Sequence, residues 1–432
     1  VTPIFASAWL FGQPEDWEKT LVGSGMPRQF LLLRLATSLR SKERLLSDQL
    51  PKFHSLTGLI DIERMHRAFL AVKRNHGAAG VDKVSIRAFE VNLDDNLAAL
   101  MHHLKHDDGY RSAPLRRVFI PKGDGKLRPL GIPTVRDRVA QEVVRSILEP
   151  IFEPIFSEFS FGFRPQRNAH QAIEAIRAAH ADGFKWVVDA DITAFFDNIP
   201  HKLILDCLAE RVADGNILRI VREFLSAGVI EGGLLRPSTS GTPQGGVISP
   251  LLANIVLDKL DQRLTQSGFR FVRYADDFVV LCRSRAQAKQ ALDFVDTFLR
   301  SELGLSLSPK KTKVVSFLEG FDFLGFHLSK RRISIRNKSI EKLKAKVRLI
   351  TTRSHNLSAD VFLKLRRVLI GFAHYFAAPF ASVADQFRLL DHWIRARIRS
   401  MKFKGISRGH NRRWKNKLIA RLGLVSLYGL LT

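Results

Sequence analysis

Apolar residues recur at spacings of three and four along several stretches of the chain, and this period predicts helices. From Asp61 to His76, positions Ile62, Met65, Phe69 and Val72 share one face until the glycines of "NHGAAGVD" end the pattern. A second helix is expected over Ser85–His103. The period returns in "RDRVAQEVVRSILEPIF", "NAHQAIEAIRAAHAD", "SPLLANIVLDKLDQRL" and "RAQAKQALDFVDTFLRSELG", where Pro250 suits a first helical turn and Gly304 a C-terminal cap. Ahead of them, "QFLLLRLATSLRSKERLLSDQL" reads as one or two amphipathic helices that stop at Pro51.

Elsewhere β-branched and aromatic residues gather in short runs. "RRVFIPKGDGKLRPLGIP" predicts two strands joined by a Gly-Asp-Gly turn, a basic hairpin with Lys122 and Arg128 on either side of its tip. "KWVVDADI" predicts a strand, and "FVRYADDFVVL" a strand, turn and strand. Mixed irregularly with helices, these runs imply an α+β layer, helices covering one face of a mainly antiparallel sheet. The last hundred residues read as wholly helical: Phe362, Leu365, Leu369, Phe372 and Phe376 form a packing stripe while Lys364, Arg366 and Arg367 lie elsewhere. Leu390, Ile394 and Met401 against Arg395, Arg397 and Arg399 repeat that division.

Composition narrows the class. With 432 residues, 45% of them apolar, the chain can bury a large core, and two or three domains are expected. No apolar run approaches the roughly 18 residues of a membrane span, so no membrane partner is expected. The opening "VTPIFASAWLFGQPEDWEK" lacks the charged start and cleavage site of a secretory signal, which predicts a cytoplasmic protein, although Val1 leaves open a processed or trimmed beginning. Cys207 and Cys282 stand apart in apolar stretches, which argues against a disulfide framework, a disulfide-linked partner or a structural zinc site. The formal charge of +26 is uneven: residues 330–432 hold 25 Lys and Arg against four acids. Such an excess points to a polyanion held through its phosphates.

Asp276 and Asp277, between two apolar runs, read either as the solvated tip of a hairpin or as metal ligands. Asp191 ends the run "VVDAD". If that strand lies beside the hairpin, three carboxylates converge at one sheet edge. Mg²⁺ takes hard oxygen ligands, and two such ions about 4 Å apart serve nucleotidyl transfer, one at the attacking oxygen and one at the leaving oxygen.

The spans "FIPKGDGKLRPLGIP", "FSFGFRP", "DADITAFFD", "GTPQGGVISPLLANIVLDKLD", "RYADD", "LSPKKTK" and "FDFLGFHL" occur in the order found in reverse transcriptases. From about residue 60 onward the chain resembles the group II intron-encoded branch, the maturase reverse transcriptases. "HGAAGVD" resembles that branch's fingers extension, and "LDHWIRARIR" and "RLGLVSL" its thumb and maturase tail. The resemblance implies a right-hand polymerase fold: an N-terminal helical extension over 1–58, fingers over 59–185, a catalytic palm over 186–328 and a basic helical thumb and maturase region over 329–432. It implies Asp191, Asp276 and Asp277 as metal ligands, joined by the Ile192 carbonyl, for two Mg²⁺ ions with Mn²⁺ able to substitute. Phe196 falls where an aromatic ring excludes a 2′-hydroxyl, which favours dNTPs. Lys122 and Arg128 would meet the triphosphate, Gln244 would line the nucleotide pocket, and Gly245 and Gly246 would let backbone approach the substrate. Lys311 matches a proton donor to the leaving pyrophosphate, though a solvated lysine fits there equally. Phe323, Leu324 and Gly325 match the primer grip, though Phe323 and Phe326 also suit a core.

The expected activity is RNA-directed DNA synthesis from a DNA or RNA primer on an RNA template, with group II intron RNA bound to assist splicing and mobility. Two other readings stand beside it: a domesticated relative serving repair or defence, and an RNA-binding maturase with secondary polymerase activity. Without the paired cysteines of the endonuclease carried by many relatives, the chain is not expected to cut DNA itself.

Overall fold

A computed structural model describes residues 52–106, 109–121, 127–243, 245–405, 407 and 409–431. The helices expected before Pro51, the Gly-Asp-Gly turn, Lys122 and Gln244 lie outside the described residues. The fold mixes helix and sheet, and the chain divides into two compact units whose segments interleave in sequence. Among the described residues, one comprises those within 52–120, 129–157 and 194–259; the other comprises those within 121–128, 158–193 and 260–431.

The first unit begins, among the described helices, with α1 (Ile62–Arg74), capped by Asp61, whose side chain accepts from Arg64 N at 2.7 Å. The single helix expected over Ser85–His103 is two, α2 (Ile86–Val91) and α3 (Leu93–Lys105). Asn92, at φ −117° and ψ 53°, breaks it, and Asn96 Nδ2 donates to the Phe89 carbonyl at 2.9 Å across the break. A side chain thus takes over a carbonyl that a continuous helix would have bonded internally. The basic hairpin forms β1 (Leu115–Pro121) and β2 (Leu127–Ile132), and α4 (Val135–Phe152) follows and packs on α1. At its start Asp137 is fully buried and accepts from Tyr110 Oη and Thr134 Oγ1, both at 2.8 Å, and from Ala113 N at 3.1 Å. Burial raises its pKa, and these hydrogen bonds oppose that rise.

In the second unit α5 (Ala169–Ala181) starts with a capping box between Asn168 and Gln171 and packs on the central sheet. That sheet opens with β3 (Trp186–Asp191). Back in the first unit come α6 (Phe195–Asn198), α7 (His201–Ala209), α8 (Gly215–Ser226) and the hairpin β4 (Val229–Glu231) and β5 (Leu234–Arg236). β4 pairs parallel with β1, Leu115 opposite Val229.

Helix α9 (Ser249–Gln266) leads to the hairpin β6 (Arg270–Tyr274) and β7 (Asp277–Cys282), then α10 (Arg285–Glu302) and β8 (Lys313–Ser316). The sheet order is β6-β7-β3-β8, every pairing antiparallel. Val187 and Val188 on β3 and Val279 and Val280 on β7 are all buried. Successive residues point to opposite faces, so both faces of the central strands are covered rather than one. Beyond lie β9 (Phe321–Phe323), β10 (Phe326–Leu328) and β11 (Ile333–Ile335), in order β11-β10-β9. β11 is a strand within the stretch expected to be wholly helical, because Ile333 and Ile335 complete a core that the β9–β10 hairpin opens. The helices α11 (Asn337–Ile350), α12 (Ala359–Phe376) and α13 (Ala384–Lys402) then pack Leu365, Leu369, Phe376, Leu390, Ile394 and Met401 into one cluster, as the stripes predicted.

Candidate active site

Register brings the acids together. In the β3–β7 ladder Asp191 is the direct partner of Asp277, and Asp189, two residues back, shares their face. Directly opposed residues have Cβ atoms about 5 Å apart. Asp276 sits in the two-residue turn between Tyr274 and Asp277, the last pair of the β6–β7 ladder. Ala275 before it has φ +58°, while Asp276 has no positive φ, the sign pattern of a II′ turn whose first position usually falls to glycine. An L-residue held there costs roughly 1–2 kcal/mol, so the surroundings must enforce the turn.

They do so from two directions. The segment before α5 runs alongside β6: Arg273 N donates to the Phe159 carbonyl at 2.9 Å and Phe161 N to the Arg273 carbonyl at 2.8 Å. This lays Gly162 of "FSFGFRP" on the turn, where a Cβ would stand 2.2 Å from Ala275 N. From the interior, the Arg273 guanidinium reaches the Ala275 carbonyl.

Crowding perturbs the acids. Burial and the nearby Asp276 and Asp191 push Asp277 up to about 6, although its tip stays open to solvent. Burial raises Asp276, with Asp191 adding and Arg128 and Lys311 opposing. Asp189 is pushed up to about 6 by burial, against Lys313, whose Nζ lies 3.7 Å from it. Mutually repelling carboxylates at one edge suit a multivalent cation.

Lys311 currently supplies the counter-charge. Its Nζ lies 2.8 and 2.9 Å from the two Asp191 carboxylate oxygens. The loop carrying it is tied to the end of β3, Thr193 N donating to the Ser306 carbonyl and Ser308 N to the Asp191 carbonyl, around a bridge between Ile192 and Leu307. Among the described residues no three acids, histidines or cysteines are gathered closely enough to hold an ion in this arrangement. Hard carboxylate oxygens such as these are the ligand type that divalent cations like Mg²⁺ take.

Arg128 is exposed on β2 in the second unit. Phe196 belongs to the first unit, half-buried on α6, its ring edge-on to Phe195 and its carbonyl accepting from Thr242 N at 2.7 Å. What approaches Gly245 is the chain itself: a Cβ there would stand 2.7 Å from the Gly131 carbonyl oxygen. Phe323 is 4% exposed and Phe326 fully buried, both in the core cluster. Between them the chain turns at Leu324 and Gly325, at φ +47° and +88°. Sequence reasoning passed over Arg273, Asp261 and Gly162; the signal was an arginine inside the apolar run "RFVRY" and a glycine in a quoted motif.

An antiparallel palm sheet bearing acids on adjacent strands defines a right-hand polymerase. Residues 120–328 match the reverse transcriptase (RNA-dependent DNA polymerase) family, and residues 340–419 the group II intron, maturase-specific domain. Protein YkfC of Escherichia coli (strain K12) is 34% identical over 304 residues, 62% of this chain and 79% of that protein. Group II intron-encoded protein LtrA of Lactococcus lactis subsp. cremoris is 31% identical over 304 residues, 55% of this chain and 50% of LtrA. Among solved structures, a partial Cas6-RT-Cas1–Cas2 complex is 24% identical, with a TM-score of 0.37 over 57% of this chain and 42% of that one. The chain belongs to the group II intron-encoded reverse transcriptase and maturase family. Reverse transcriptases generally depend on a divalent metal. Among the described residues no helix is long and apolar enough to cross a membrane.

Proposed function

We propose that the chain is an RNA-directed DNA polymerase that extends a DNA or RNA primer on an RNA template with dNTPs, in the cytoplasm. The observation that carries this reading is the pairing of Asp191 with Asp277 beside Asp276, inside the span that matches the reverse transcriptase family. The carboxylates of Asp191, Asp276 and Asp277, with the Ile192 carbonyl, would hold two Mg²⁺ ions, or Mn²⁺ in their place. When bound, the metal would supply positive charge to the oxygens on which negative charge develops during the transfer. The primer's 3′-hydroxyl gives its proton to water as its oxygen bonds to the α-phosphorus and the bond from that phosphorus to the bridging oxygen breaks, releasing pyrophosphate. Lys311, released from Asp191, gives its proton to the pyrophosphate, and Lys122 and Arg128 offset the triphosphate charge. Gln244 lines the nucleotide pocket, and Phe196 excludes the ribose 2′-hydroxyl. The proposed regions keep the expected bounds, 59–185 for fingers, 186–328 for palm and 329–432 for thumb.

A second role, binding group II intron RNA to assist splicing and mobility, is favoured by the basic faces of α11–α13 in the span matching the maturase-specific domain. The decisive assay is extension of a primer on an RNA template with Mg²⁺ and dNTPs. Extension by the wild type that disappears in Asp276→Ala supports the reading; no extension, or equal extension by both, rejects it. Acceleration of intron splicing by the same protein tests the maturase role.

A further inference from the structure

Beneath the Asp276 turn lies an ion pair that the chemistry above does not use. Arg273 and Asp261 are each 0% exposed in their side chains. Arg273 Nε donates to Asp261 Oδ1 at 2.8 Å and to Oδ2 at 3.0 Å, and Nη2 donates to Oδ2 as well. Its other terminal nitrogen, Nη1, donates to the Ala275 carbonyl at 3.1 Å. Fully desolvated pairs of this kind are often replaceable by apolar residues without loss of stability, so stability alone does not account for one here.

We infer that Arg273, fixed by Asp261, is a positioning residue that sets the direction of the Asp276 carboxylate. The link is the planar peptide between residues 275 and 276. Holding the Ala275 oxygen fixes that plane, whose opposite edge carries the Asp276 N–H and whose end is the Asp276 Cα from which the carboxylate projects. The backbone of Ala275 resists this conformation, being an L-residue at φ +58°. Gly162 blocks the turn from one side only, against Ala275 N, so the carbonyl depends on the guanidinium. A planar fork can bind a carboxylate along one edge and a carbonyl at another corner; an ammonium on a flexible stem has no such fixed geometry. Asp261, on α9, thereby couples the rigidity of a helix to a strained turn.

The inference rests on reading Asp276 as a metal ligand, and its test separates the two. In the full chain, Arg273→Lys and the apolar double variant Arg273→Met with Asp261→Leu are compared with wild type by amide hydrogen exchange without metal, by thermal melting and by primer extension. The double variant is expected to melt no lower than wild type. Both variants should exchange about tenfold faster across 274–277 with the rest of the sheet unchanged, and should lose roughly 10- to 100-fold in kcat at nearly constant KM for dNTP. Wild-type exchange across 274–277 in the folded double variant, or acceleration spread evenly through the core, overturns the inference. An inactive wild type would instead reject the polymerase reading, while the exchange contrast still decides whether Arg273 holds the turn.

Discussion

The second unit contains two hairpins that each reverse on two residues, Ala275–Asp276 between β6 and β7 and Leu324–Gly325 between β9 and β10. Both tether their carbonyls: Arg273 holds that of Ala275, while Tyr375 Oη donates to Leu324 at 2.7 Å and Arg336 N to Gly325 at 3.1 Å. Their flanks differ. Phe323 and Phe326 bury the second hairpin in an aromatic core, whereas Asp276 and Asp277 leave the first with carboxylates that burial and repulsion push toward protonation. A tethered turn is thus common to both hairpins; crowded carboxylates are what set the first apart.

The largest contrast is expected from removing that charge. Asp277→Asn should lower primer extension by about 10³-fold, the effect of losing several kcal/mol of metal-centred stabilisation. It should also leave the metal-free protein at least as stable at pH 7, because a crowded carboxylate is gone. A melting curve shifted clearly downward would mean that Asp277 is structural, like the residues of the second hairpin.

Glycine replacement sharpens the comparison next. In Gly162→Ala the new methyl meets Ala275 N at 2.2 Å, so the Asp276 turn must move, and about a 10²-fold loss of activity is expected. In Gly325→Ala the methyl finds Phe376 at an ordinary 3.4 Å, and only the φ of +88° is strained. The second variant should lose roughly 1–2 kcal/mol of stability and little activity. Equal activity losses would put both turns in the same functional class.

The pH response should divide the hairpins too. Asp277 and Asp189, both near 6 in the fold, bind protons more tightly there than in the unfolded chain. Their favourable contribution is therefore present below the ordinary carboxylate range and is lost as pH rises through about 6. Without metal, melting should weaken from pH 5 to pH 7, and Mg²⁺ should restore it at pH 7 more than at pH 5. Protonation of Asp277 alone should weaken Mn²⁺ binding about tenfold between pH 7 and pH 5. Metal binding independent of pH in this window would disconnect Asp277 from the ion.

Much of this was legible in the sequence because pattern and chemistry coincided. The β-branched and aromatic runs around Asp191 and Asp276 predicted strands, and ordered motifs supplied the partner that the Asp pair lacked by itself. Tertiary compensation was not legible. Asn92 breaks a helix that its neighbours favour, since Asn96 Nδ2 donates to the freed Phe89 carbonyl. Lys311 could be read as solvated or reactive, and only the loop ties at Ser306 and Ser308 bring it onto Asp191. Arg273 looked like one more cation in a basic protein; its role depends on Asp261, a helix residue with no pattern to single it out. Phe323 was ambiguous for the opposite reason, since core and primer contact both call for an aromatic ring.

The smallest effect belongs to the tether of the second hairpin. Tyr375→Phe removes the hydroxyl that donates to Leu324 and keeps the ring stacked 5.7 Å from Phe326. One hydrogen bond contributes about 1 kcal/mol net, so a modest drop in melting temperature is expected. The Leu324 carbonyl is half-buried and can recover part of the loss from solvent. Primer extension should stay within about twofold of wild type, since less than half a kcal/mol would reach the transition state. A tenfold loss with unchanged melting would reverse the contrast: the Leu324 turn would then act on the primer directly, and the two hairpins would be two halves of one working surface.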